Sequence, residues 1–150
     1  MTLQETEKLF EDLKNEATNK SEIKIYKRFL QIVSELRKRD FSKDEIQSIE
    51  TELDSLNLQS NKENSTKYFK IGLRKFEKYL KDTFSLTSKG YYTKRGLGLG
   101  LTFGMLFGIV FLSSWERSMG ISLGLSIGML IGLIIGRSMD KKAVAEGRML

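Results

Sequence analysis

The sequence predicts an all-α protein: a small cytosolic bundle of about four helices followed by a two-helix transmembrane hairpin. Three observations predict it. Apolar residues in the first 90 positions recur at helical spacing. The first 95 residues hold 20 basic and 16 acidic side chains. Beyond them, residues 96–115 and 118–136 carry no charge, with only Glu116 and Arg117 between. The 150 residues therefore divide into a cytosolic helical domain (1–90), a transmembrane hairpin (91–137) and a basic cytosolic tail (138–150).

Each helix announces its start or its buried face. Thr2 and Glu5 form a capping box, opening a helix to about Ala17 with Leu3, Leu9, Phe10 and Leu13 apolar. Asn19 caps the second, whose Ile25, Phe29, Ile32, Val33 and Leu36 share a face. Ser42 and Glu45 make the clearest capping box and open a third helix with Ile46, Ile49, Leu53 and Leu56 on one side. The polar run 59–65 reads as a linker or long turn. The fourth helix, about 66–84, aligns Phe69, Leu73, Phe76, Leu80 and Phe84. It also carries Lys67, Lys70, Arg74, Lys75, Lys78 and Lys81 against Glu77 and Asp82. Either its aromatic face completes a four-helix core, with solvated lysines, or it rests on the inner leaflet, aromatic side down. The first arrangement is expected, because so small a core would be thin without Phe69, Phe76 and Leu80.

The two uncharged stretches are long enough to cross a bilayer. About 20 residues at 1.5 Å each span a hydrocarbon core of roughly 30 Å, and the stretches supply 20 and 19. Burial inside a soluble bundle would need more protein than the remaining residues provide. The polar opening MTLQETEK is not a secretory leader. Tyr91 and Tyr92 before the first stretch, and Trp115 at its end, suit an interfacial aromatic belt. Lys94 and Arg95 lie before the first stretch and Arg137 follows the second, while Glu116 offsets the turn's one Arg. The positive-inside rule then places both termini in the cytoplasm.

Ten of the 13 glycines fall between residues 96 and 136. Gly96, Gly100, Gly104 and Gly108 step by four, and so do Gly120, Gly124, Gly128, Gly132 and Gly136. A step of four on a helix of 3.6 residues per turn leaves a groove without side chains, where backbones can approach closely. Ser118, Ser122 and Ser126 repeat the step about 200° away, as Gly98 and Thr102 do on the first stretch. One tight face is enough to close a hairpin, so this second face is a candidate oligomer or pore surface, unless its hydroxyls bond their own i−4 carbonyls.

The runs GLGLGLTFGMLFG and MGISLGLSIGMLIGLIIGRSMDKKA resemble the glycine-zipper transmembrane proteins found widely in bacteria. The likeness covers residues 96–142. It implies membrane insertion, in a bacterial inner membrane, and helix association; it implies no reaction and no ligand.

Composition narrows the chemistry. Without Cys or His there is no thiolate, no disulfide and no common general base or metal ligand. Asp40–Asp44 begins like a calcium loop, but Glu45 stands where the turn glycine belongs and Thr51 where the bidentate Glu belongs. Gly96, Gly98 and Gly100 follow no strand, so they are no dinucleotide fingerprint. No catalytic residue, cofactor or metal is expected, and the chain is not read as an enzyme. Residues 1–88 have a net charge of +1, and 89–150 of +5, which points to lipid rather than nucleic acid. The expected partners are the bilayer, further copies of the chain and a cytosolic protein not specified by the sequence. Two functions follow: a self-associating anchor displaying a helical interaction module, or an oligomeric pore-forming or permeabilising effector.

Overall fold

The computed structural model describes residues 1–59, 65–111 and 117–150. The described residues form six helices and no strand: α1 (Leu3–Glu16), α2 (Lys20–Arg37), α3 (Lys43–Ser55), α4 (Ser65–Phe84), α5 (Tyr91–Phe111) and α6 (Arg117–Ala145). They divide into two compact units, Met1–Leu86 with Leu150, and Thr87–Met149.

The caps read from the sequence are present in the first unit. Thr2 accepts from the Glu5 N–H while Glu5 accepts from the Thr2 N–H, and Ser42 and Glu45 exchange the same pair of bonds. Asn19 accepts from the Ser21 N–H, satisfying one of the donors that α2 leaves open. Asn57 ends α3 at φ 47°, a left-handed position that asparagine tolerates. The Tyr68 hydroxyl then donates to the Leu56 carbonyl at 2.7 Å, fastening α4 to the end of α3.

Aromatic rings hold this core together. Phe10 of α1 stacks on Phe29 of α2 at 4.1 Å between centroids. Phe69 of α4 meets Phe10 and Tyr26 edge-on, at 5.8 and 5.3 Å. Ile32, Val33, Leu36, Ile49, Leu53, Phe76 and Leu80 close the rest, all fully buried or nearly so. The aromatic face of α4 is therefore core, as expected. Around the rim, Arg28 pairs with Glu77 at 3.0 Å, and the bond from Lys38 holds the Glu35 carboxyl below its ordinary range.

In the second unit α5 and α6 pack antiparallel along their length. α6 ends in a Schellman motif: Gly147 sits at φ 66°, its N–H reaches Val144, and the Arg148 N–H reaches Ala143. The returning chain lies beside Thr87, whose N–H donates to the Arg148 carbonyl at 2.8 Å.

Two expectations change at this level. Among the described residues one helix, not two, is long and apolar enough to span a membrane: Met119–Ala145, with mean hydropathy 2.1. α5 begins with the polar run YYTKR and its described part ends at Phe111, which leaves 16 uncharged residues. The region expected as a tail from residue 138 is helical to Ala145, because nothing before Gly147 breaks the helix. Trp115, Glu116, residues 60–64 of the linker and the Ser118 side chain lie outside the described residues.

Candidate functional site

The glycine face of α5 and α6 is a contact between two backbones. A Cβ placed on Gly100 would lie 2.2 Å from the Gly128 carbonyl oxygen, and one on Gly128 would lie 2.1 Å from that of Gly100. Gly104 and Gly124 oppose each other at 2.3 Å in both directions. Gly96 stands against Gly132, and Gly108 against Gly120, in the same way. The obstacles are main-chain atoms, so no rotamer change would make room. A Cβ on Gly136 would meet the backbone of Tyr92 and Thr93, and one on Gly96 would lie 3.2 Å from the Gly136 Cα. All nine glycines singled out in the sequence thus lie along one seam. The seam allows Cα–H···O contacts worth about 0.5–1 kcal/mol each.

The second small-residue face lies outside the seam. A Cβ on Gly98 would meet nothing within 4 Å. Thr102, Ser122 and Ser126 are exposed. The Thr102 hydroxyl donates to the Gly98 carbonyl at 3.0 Å, and the Ser126 hydroxyl to the Ser122 carbonyl at 2.9 Å. Both are i−4 bonds within their own helix.

One end of the pair gathers the polar residues. Tyr91 and Tyr92 meet edge-on at 5.2 Å, and Arg95 donates to the Tyr91 hydroxyl at 2.8 Å. Lys94, Arg95 and Arg137 are exposed. Arg148 pairs with Glu146 and bonds Tyr92, and both contacts raise its already high pKa.

Asp140 is the residue that sequence reading missed. It is only 9% exposed and accepts from the Tyr92 and Thr93 N–H groups at 3.0 Å each, and from the Thr93 hydroxyl at 2.6 Å. These N–H groups belong to the first turn of α5, where helical donors lack partners and the macrodipole favours an anion. A carboxylate from α6 therefore caps α5. The signal was available: one further step of four beyond Gly136 lands on Asp140, the sole acid in α6.

Beside the seam runs an open apolar groove of about 680 Å³, floored by glycine and walled by residues such as Leu99, Phe103, Phe107, Ile127, Ile131 and Ile135. Among the described residues its walls offer no charged group or catalytic side chain. No cluster able to hold a metal occurs among the described residues. No family model, curated protein or solved structure matches this chain.

Proposed function

We propose that the chain is an integral membrane protein in which α5 and α6 form a glycine-zipper transmembrane hairpin. The hairpin anchors and self-associates, and it displays α1–α4 to the cytoplasm as an interaction module for a protein partner. The observation that carries this reading is a tight glycine seam inside a pair that turns many large apolar side chains outward. Phe103, Val110 and Ile134 are 66%, 66% and 65% exposed, among many large apolar side chains turned outward. Only 22% of the apolar window in α6 is buried, whereas the core helix of a soluble protein would be mostly covered. In lipid such a surface carries no penalty, and helices meet where backbones fit. The sequence adds four uncharged residues, 112–115, after α5, which supports a second crossing.

The exposed face bearing Thr102, Ser122 and Ser126 supports contact with a second copy. The i−4 bonds of Thr102 and Ser126 satisfy those hydroxyls within their own helices, so they speak neither for a second copy nor for a water-filled pore, and self-association rests on the exposure of this small-residue face. The basic residues at the Tyr91 end support the cytoplasmic placement of both termini in a bacterial inner membrane.

Membranes washed at alkaline pH test the anchor: the chain stays in the pellet, and its release into the supernatant would end the reading. Single cysteines at Asn61, Ser118 and Ala145 test the topology. An impermeant reagent outside intact cells labels only position 118; labelling of 61 or 145 overturns the orientation.

A further inference from the structure

We propose that the outward face of α4 docks on anionic lipid headgroups, so that the helical module is held against the bilayer rather than swinging free of it. The inference rests on the reading that α5 and α6 are embedded in that bilayer.

Charge within the helical module is divided by element. Residues 1–64 hold 11 basic and 14 acidic groups, a net −3, whereas α4 holds six basic and two acidic, a net +4. The core decides which way that charge faces. Because Phe69, Phe76 and Leu80 are buried, Lys67, Lys70, Arg74, Lys75 and Lys78 are left exposed. Their spacing makes one stripe over 12 residues, about 17 Å long. Both acids of α4 are already paired, Glu77 with Arg28 of α2 and Asp82 with its neighbour Lys81, each at 3.0 Å. None of the five cations has an ion pair among the described residues. Five like charges on one helix face repel one another and are best balanced by an anionic surface of similar extent.

The bilayer is the anionic surface within reach. Six residues separate Phe84 from Tyr91, so the chain cannot carry the end of α4 more than roughly 25 Å from the start of α5. Such a short tether makes docking an intramolecular event at high effective concentration. The positive charge also continues through Lys89, Lys94 and Arg95: Ser65 to Arg95 carries nine basic and two acidic groups, a net +7 in a chain of net +6. Each Lys or Arg near an anionic leaflet contributes about 1 kcal/mol. The aromatic side of α4 lies in the core, so the contact is electrostatic, with Ile71 (44% exposed) the one large apolar side chain on the docking face.

The chain has no cysteine, so Ile71→Cys supplies a unique fluorophore site in the middle of the stripe. The full chain is placed in nanodiscs of phosphatidylcholine alone, or with added phosphatidylglycerol, each containing a nitroxide-headgroup quencher. Quenching is expected to rise with the phosphatidylglycerol fraction and to be lost near 1 M salt, where the Debye length falls to about 3 Å. Replacing Lys70, Arg74, Lys75 and Lys78 together by Gln lowers occupancy of the docked state by roughly a hundredfold or more. These side chains are exposed, so circular dichroism is expected to show the variant folded; the phosphatidylglycerol titration of the parent chain stands without it. Quenching independent of phosphatidylglycerol or of salt overturns the proposal. So does a duplex oligonucleotide that shields the probe in discs where phosphatidylglycerol has no effect, which assigns the stripe to nucleic acid. Protein that fails to co-purify with discs overturns the membrane reading itself, and this inference with it.

Discussion

Tyr92 and Thr93 open α5 with N–H groups that no residue of their own helix can satisfy, and Asp140 receives both. This contact joins the two helices at the end where the glycine seam stops, so it supplies polar fixation where backbone contact is running out. Asp140→Ala leaves those donors and the Thr93 hydroxyl unpaired in a nearly buried place. The expected cost is about 1–2 kcal/mol in the stability of the α5–α6 pair, read by unfolding in mixed micelles. Asp140→Asn keeps an acceptor oxygen but not the charge, and is expected to fall between the two. An alanine variant as stable as the parent would show that water replaces the cap at no cost.

At the scale of elements, glycines that look alike in sequence have opposite roles. Gly128 faces a carbonyl oxygen that an added Cβ would meet at 2.1 Å, whereas Gly98 faces open space. Gly128→Ala is expected to destabilise the pair by about 1–3 kcal/mol, since only a backbone shift can relieve the overlap. Gly98→Ala should leave it unchanged or raise its stability by up to about 1 kcal/mol, because alanine is the better helix former. The same micelle unfolding measures both, and equal effects would mean that the seam is placed on the wrong face. In the helical bundle, Phe29 lies between Phe10 and Phe76 with no exposed surface. Phe29→Ala is expected to cost 3–5 kcal/mol or so, seen as loss of cooperative unfolding in the near-ultraviolet dichroism.

For the whole molecule, the proposed function assigns the two small-residue faces to different tasks. Bulk on the seam should separate α5 from α6, and bulk on the outer face should separate one chain from the next. Ser122→Leu is therefore expected to leave the α5–α6 pair intact while lowering the cross-linked mass of the protein in bilayers. Parent protein that remains monomeric across lipid-to-protein ratios would remove self-association from the proposal and leave the anchor. An oligomer untouched by Ser122→Leu but abolished by Gly128→Leu would mean that the seam also serves between chains.

Much of this architecture was legible along the chain, and the rest was not. Thr2, Asn19 and Ser42 as caps, the buried faces of α1 to α4 and the four-residue glycine step are properties of neighbouring residues, and helical period alone reveals them. The sequence by itself therefore determined the order of the described helices and which side of each is bare or apolar, but not that α6 runs on to Ala145. What it left open depends on which surface comes to lie opposite. That Gly100 meets Gly128, that Gly136 meets Tyr92 and Thr93, and that Asp140 caps a helix 47 or 48 residues away are matters of register between distant segments. The outward stripe on α4 is decided in the same way, because its cations face solvent only once Phe69 and Phe76 have found Phe10 and Phe29. A local pattern states what each face can do, and tertiary packing chooses its partner, because burial and backbone overlap exist only between segments that have met.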